Sequence, residues 1–289
     1  MKKARPLSRT ALGEHPLPPV IDGDKETKGR ILVIAGSREV PGAALLAATS
    51  AMRAGAGRLR IATVESVAPQ LAIAMPEAMV VGLAEHRDGT IAPSAVRQIE
   101  ELAASADAVV AGPGVTRGDV CARVAEVLLE SPAKLALDAA LLHSLSPLDD
   151  SGSERHSMPV LLPHSGELAS LLNCSEDEID AHPIRSGLRA AELYRSVVLV
   201  KGVNSHVVHP DGRAWTYSGG APGLGVSGSG DTLAGIVGGL LARGAEPLNA
   251  LLWGTWLHGE AGAALAKKVG PIGFLARQIP DEIPALLPR

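Results

Sequence analysis

Short apolar runs alternate along this chain with stretches of helical period. Ile31–Ala35, Leu59–Thr63, Met79–Leu83, Ala108–Ala111, Leu135–Leu137, Val160–Leu162 and Val197–Val200 read as buried strands. Between them, Pro41–Ala54, Ser94–Ala104, Asp119–Glu130, Leu168–Leu172 and Ile184–Tyr194 read as helices. Val207–His209 and Ala214–Tyr217 flank Pro210-Asp211-Gly212 and predict a hairpin. The last third predicts helices over 231–243, 247–268 and 280–287. Such alternation specifies an α/β fold with a mostly parallel central sheet. In the helix at 247–268, Leu251, Leu252, Trp256 and Ala263 recur at helical spacing, as core residues do.

Several strands end in small or polar residues: Gly36-Ser37, Gly112-Pro113-Gly114, Asp138, His164 and Lys201. Open parallel sheets bind ligands beyond the carboxyl ends of their strands, so these residues are expected on one edge. The same edge is expected to receive Ser227-Gly228-Ser229-Gly230-Asp231, which precedes an apolar helix. Glycines let backbone amides crowd toward one point, and a helix start adds its positive dipole end. That combination is an anion cradle with a carboxylate at its rim, as a phosphate site with a general base requires. The plainer alternatives are a tight turn and a helix N-cap at Asp231. Gly223-x-Gly225-x-x-Gly228 fits a dinucleotide fingerprint in letters only, since no buried strand precedes it. No Gly-Lys-Ser/Thr follows a glycine loop, so there is no Walker A motif.

The chain has 289 residues and a formal net charge of −4, which argues against a nucleic-acid backbone as partner. With 46% hydrophobic but only 2% aromatic residues, its core must be built from Ala, Leu, Val and Ile. Cys121 and Cys174 lack metal-ligand spacing and suggest a reducing compartment. The nine histidines form no HExxH, so zinc is not expected. No window is apolar enough to span a membrane, and Met1–Thr10 has basic residues without an apolar run behind them. A cytoplasmic protein is expected, with a flexible tail over 1–28 and one domain over 29–289; 149–157 is a polar loop.

Taken in order, Ala35-Gly36-Ser37, Pro41-Gly42-Ala43-Ala44, Ala111-Gly112-Pro113-Gly114, Pro163-His164-Ser165-Gly166-Glu167, Lys201-Gly202 and Gly228-Ser229-Gly230-Asp231-Thr232-Leu233-Ala234-Gly235 resemble the ADP/ATP-dependent NAD(P)H-hydrate dehydratases. That family sits in the ribokinase-like superfamily, and the resemblance covers about residues 28–288. It implies a three-layer α/β/α ribokinase-like domain. It also implies dehydration of the S epimer of NADH or NADPH hydrate, with ADP or ATP as co-substrate and Mg2+ as cofactor. In that chemistry the ring hydroxyl is phosphorylated, then leaves as phosphate. Asp231 matches the catalytic aspartate and also touches the hydrate. Lys201, Gly202, Val203, Asn204, Ser205 and Gly230 match the nucleotide-contacting positions, with Gly228 and Ser229 in the same cradle. Ala43, Gly114 and His164 match positions that touch the hydrate. The metal ligands are not readable; Glu167 is either a helix cap or a magnesium organiser.

Three positions depart from the family pattern. Ala221 replaces Asn in Gly-Asn-Pro-Gly, Ser227 replaces Gly where φ > 0 is expected to be needed, and Ala140 replaces the second acid of Asp-Ala-Asp-Ala-Leu. The resemblance further implies a homo-oligomer, a tetramer in this family, and a functional link to a separate NAD(P)H-hydrate epimerase. Two other readings use the same residues. One is a ribokinase-like kinase for a sugar or vitamin-precursor alcohol; the other is a non-catalytic nucleotide or NAD(P) sensor.

Overall fold

The structure, a computed structural model, describes residues 4–19, 27–147 and 156–288. Along the chain run β1 (Arg5–Pro6), β2 (Arg30–Ile34), α1 (Gly42–Arg53), β3 (Arg58–Val64), α2 (Ala68–Ala74) and β4 (Ala78–Leu83). Next come α3 (Val96–Ala104), β5 (Ala108–Ala111), α4 (Val120–Glu130), β6 (Lys134–Leu137), β7 (Val160–Leu161), α5 (Ser165–Leu172) and α6 (Glu176–Ala181). They are followed by α7 (Pro183–Leu193), β8 (Val197–Val200), β9 (Ser205–Val208), β10 (Ala214–Tyr217), α8 (Ser229–Ala242), α9 (Pro247–Lys268) and α10 (Ile279–Leu286).

The strands form one sheet in the order β1-β10-β9-β8-β7-β6-β5-β2-β3-β4. Every neighbouring pair is parallel except those made by β9, which runs antiparallel to both β8 and β10. Alternate residues of one strand feed opposite faces. Ile31 and Val33 join the core under α1, α8, α9 and α10, whereas Leu32 and Ile34 join the core under α3, α4, α5 and α7. Covering both faces is what makes the strands read as continuous apolar runs. The result is the expected three-layer α/β/α arrangement. Leu251, Leu252 and Trp256 of α9 are buried in the first core, as their spacing predicts.

The main inter-helix contact is between α1 and α8. It is made by small residues: a Cβ on Gly235 would strike the carbonyl oxygen of Ala47, and one on Gly239 that of Ala51. The helices therefore meet backbone to backbone, which the few aromatic residues of this chain permit.

Within the expected tail, residues 4–19 dock onto the domain, while 1–3 and 20–26 lie outside the described residues. Arg5 and Pro6 pair in parallel with Trp215 and Thr216, so β1 closes the β10 edge of the sheet. Leu12 is fully buried, and Trp253 Nε1 donates to the carbonyl of His15 at 2.7 Å. The Arg9 guanidinium lies 4.7 Å from the Trp253 ring centroid. A Pro-, Gly- and charge-rich stretch averages to "loop", yet Leu7 and Leu12 are buried and Arg9 stacks on Trp253. Other differences are smaller. Helix α2 and the acidic α6, capped by Ser175, bury too few apolar residues to show a period. Most of the expected 149–157 loop lies outside the described residues.

Truncating Leu12 tests the docking. Leu12→Ala is expected to lower stability by about 2–5 kcal/mol, the range for emptying a buried leucine site, read as the urea midpoint. An unchanged midpoint would return this segment to the status of a loose tail.

Candidate active site

The anion cradle forms where β10 hands over to α8. Gly228 is the N-cap of α8, with φ of 88°. A side chain there would be strained and would strike Leu46 of α1, so glycine is required on two counts. Among the described residues the non-glycine positions with positive φ are Ala139, Asn173 and Arg195. Ser227 is not one of them, so its Cβ introduces no strain; the left-handed residue is Gly228. Asp231 is not the N-cap either. It lies in the first turn of α8, two residues into the helix, where backbone amides have no intrahelical partner.

Asp231 is half-buried, and its carboxyl is pushed up to about 6. Burial is the main cause and the nearby Asp138 adds to it, with the Lys201 ammonium opposing. Lys201 is well covered at the end of β8. Its Nζ donates to Asp138 Oδ1 at 2.8 Å and lies 3.7 Å from Glu167 Oε2. Burial works against its charge, but the carboxylates of Asp138, Glu167 and Asp231 outweigh it and hold the ammonium above its ordinary value. Burial raises the Asp138 carboxyl, and the Lys201 charge pulls it back. Gly230 faces this pair: a Cβ on it would sit 3.8 Å from Lys201 Nζ and 4.0 Å from Asp138 Oδ2.

His164 is the next strand end. It forms a parallel bridge with Lys201, whose amide donates to Pro163 O at 2.9 Å. Its Nδ1 accepts from the Gly166 and Glu167 amides at the start of α5, and Glu167 Oε2 accepts the His164 N–H at 2.9 Å. This reciprocal capping box orients the imidazole and shows Glu167 capping α5. It also explains why α5 begins at Ser165, three residues before its apolar pattern. With Nδ1 accepting, the ring proton is on Nε2, 3.4 Å from Glu167 Oε1.

Ala43 and Gly114 come together on the other side of the cradle. Gly114 has φ of 63°, and a Cβ on it would come within 3.0 Å of Val40 O and against the Ala43 methyl. Gly36 donates its amide to Pro113 O at 2.8 Å, so the loops after β2 and β5 form one floor. Leu46, on the same helix as Ala43, closes the gap to Gly228. The stretch 202–205 does not fold inward: Gly202, Val203 and Asn204 are exposed, an open lip beside Lys201.

His258 escaped the sequence reading. It is half-buried in α9, with Nε2 at 3.0 Å from Ser229 Oγ and 3.1 Å from Ser229 O. A carbonyl only accepts, so Nε2 carries the proton, and the Ser229 hydroxyl hydrogen is left to donate elsewhere. Burial pushes His258 down to about 4, keeping it neutral. A lone histidine in an apolar helix offers no pattern that would reveal this. Asp138 was visible only as a strand end; its tie to Lys201 spans 63 positions.

The sequence profile of the NAD(P)H-hydrate dehydratase family matches residues 31–285. An ADP-dependent (S)-NAD(P)H-hydrate dehydratase of Xanthomonas campestris is 45% identical over 99% of this chain and 97% of its own. The chain belongs to the NAD(P)H-hydrate dehydratase family. A bifunctional NAD(P)H-hydrate repair enzyme of Thermofilum pendens is 34% identical over 94% of this chain, which spans about half of that relative, 52%. A crystal structure of an ADP/ATP-dependent NAD(P)H-hydrate dehydratase from Bacillus subtilis, co-crystallized with ATP/Mg2+, superposes with a TM-score of 0.85. It is 25% identical and covers 99% of this chain and 98% of its own.

Against the family pattern, the departures fall in structurally tolerant places. Ala140 is buried in the core under α4, where a methyl packs without needing a partner. Ala221 is partly buried against the other core, ahead of the short turn Pro222–Leu224.

The Lys201–Asp138 pair yields a stability test. Lys201→Met leaves Asp138 buried without its cation, and a loss of about 3–5 kcal/mol is expected. Asp138→Asn in the same chain should recover part of that loss; a double variant no more stable than the single would show that the two residues are not coupled.

Proposed function

We propose that this chain dehydrates the S epimer of NADH or NADPH hydrate, using ADP or ATP, and so repairs a damaged reduced cofactor. The single observation that carries the reading is a half-buried Asp231 titrating near 6 inside an anion cradle, with one fixed cation, Lys201, across from it. Family membership supplies the substrate and the co-substrate, and with them the preference over an alcohol kinase or a sensor.

The cradle suits phosphoryl transfer to an alcohol. Hydroxide is a poor leaving group; phosphate is a good one. Asp231 takes the proton of the ring hydroxyl as its oxygen attacks the terminal phosphoryl group of the nucleotide. The O–P bond to AMP or ADP breaks. The C–O bond of the ring then breaks, with the ring nitrogen's lone pair supplying the electrons; phosphate departs with the oxygen, and the iminium left behind loses a proton from the adjacent ring carbon to restore the ring double bond. A pKa near 6 leaves Asp231 ionised at neutral pH while keeping it a better base than an ordinary carboxylate. Meanwhile the first-turn amides of α8, the Ser229 hydroxyl set by His258, and Lys201 face the charge on the transferred group. Ala43 and Gly114 leave a flat floor for the ring, and His164 stands beside it. The lip 202–205 borders the adenine nucleotide.

Mg2+ fits this site as a passenger of the phosphates. Among the described residues no three acidic or histidine side chains converge into a cage. Magnesium ordinarily binds through phosphates, waters and one or two carboxylates. Asp138, beside Gly230 in the cradle, would be the carboxylate available to help hold it. When bound, the ion neutralises phosphate charge.

A homotetramer and a separate epimerase for the R hydrate complete the proposal, both from the family resemblance. A cytoplasmic setting accords with two unpaired thiols, Cys121 and Cys174. No described helix is long and apolar enough to cross a membrane.

The direct test mixes the protein with NADH hydrate, Mg2+ and either ADP or ATP and follows the reduced-nicotinamide absorbance. A nucleotide-dependent rise is expected; no rise with either nucleotide overturns the proposal. Asp231→Asn should retain nucleotide binding and lose about 10²–10⁴ in kcat. Because the base must be ionised, kcat/KM of the native chain should be flat above pH 6 and fall as pH drops through about 6. An acid limb near pH 4 would mean that Asp231 is not the group observed.

A further inference from the structure

A cavity of about 720 Å³ lies between the segment after β4 and the loop that runs from Gly114 into α4. Its walls are the hairpin after β4, which contributes His86, Arg87 and Ile91, and the loop entering α4, which contributes Arg117, Gly118 and Val120. None of these residues belongs to the cradle. We propose that this cavity receives the adenylyl half of the dinucleotide hydrate, with Arg87 and Arg117 gripping its phosphates. The proposal rests on the dehydratase reading for the position of the nicotinamide ring.

The sheet order sets the direction. Lys201 and the lip 202–205 lie at β8 and β9, Asp138 at β6, Gly114 after β5, Ala43 after β2, and the cavity's hairpin after β4. With the phosphoryl donor on the β8–β9 side and the reacting group at α8, that side is filled. The rest of a dinucleotide whose ring lies over Ala43 and Gly114 has to run the other way, toward β4. Arg117 is three residues from Gly114, a reach of at most about 11 Å.

The charges suit phosphate. Neither Arg87 nor Arg117 is in an ion pair among the described residues. Arg38, by contrast, is spent on structure: its guanidinium holds Glu85 at 2.9 Å and the Arg87 carbonyl at 2.7 Å, which fixes the hairpin. Of the two acids on the walls, Asp88 is occupied by the Thr90 amide and hydroxyl. The other, Asp119, precedes the first turn of α4, and its side chain makes no capping hydrogen bond there. Ile91 and Val120 add apolar surface for a base. The Arg117 charge is felt at His143, which Glu167 and His164 also influence, so the cavity and the site share one electrostatic neighbourhood. The hairpin touches the loop directly: a Cβ on Gly118 would meet Thr90 at 3.3 Å.

The test is Arg117→Ala, alone and with Arg87→Ala. For NADH hydrate, KM should rise at least about tenfold, the scale of one lost charge-assisted contact, with kcat changed less than twofold. The hydrate of reduced nicotinamide mononucleotide, which lacks the adenylyl half, should show no such rise. Equal KM values in variant and native chain, or equal losses on both substrates, overturn the proposal. Calorimetric binding of intact NADPH gives a readout without turnover. A tenfold weaker affinity in the variant supports the cavity assignment, and an unchanged affinity overturns it. A native chain inert toward every hydrate would instead sink the dehydratase reading and leave that binding comparison to decide the cavity.

Discussion

One buried ion pair organises the chemistry of this molecule. Lys201 and Asp138 come from the ends of β8 and β6, with β7 between them. Burying either charge alone would cost several kcal/mol. Together they hold a cation beneath the mouth of the cradle and set the electrostatics around it. Asp138 helps raise Asp231, while Lys201 limits the rise. Glu167 joins the pair at longer range and, through its cap, fixes His164. Asp231, Lys201 and His164 are thus linked by a single electrostatic network.

The network depends on the parallel sheet. Parallel strands bring their carboxyl ends to one edge, so residues far apart in sequence arrive together without a dedicated scaffold. The hairpin of β9 and β10 breaks the parallel run and returns the chain to start α8 at that edge. A left-handed glycine at the turn lets the helix begin two residues before Asp231, the carboxylate proposed as the base, with first-turn amides that have no intrahelical partner.

The sequence was most legible where chemistry is local. Strand cores, the hairpin and the Gly-Ser-Gly-Asp turn are signalled by residues within a few positions of one another. Partnerships across long separations were not: Lys201 could be read as a strand end but not as half of an ion pair. His258 and Arg117 gave no signal, because a single polar residue has no period. The N-terminal segment was misread for the opposite reason, since composition over a window hides Leu7 and Leu12. The positive φ expected at Ser227 falls on Gly228, a one-residue ambiguity that alternating Ser and Gly make unavoidable.

The contact of α1 with α8 has a mechanical meaning. Helices separated by side chains can slide as rotamers adjust, but carbonyls seated on Gly235 and Gly239 leave no compliant layer between them. Ala43 rides on α1 and Asp231 on α8, so the surface proposed to receive the ring and the proposed base for its hydroxyl behave as one rigid jaw. Adaptation to a substrate then belongs to the loops facing that jaw, and drift in specificity among relatives should accumulate in those loops while the helices stay put.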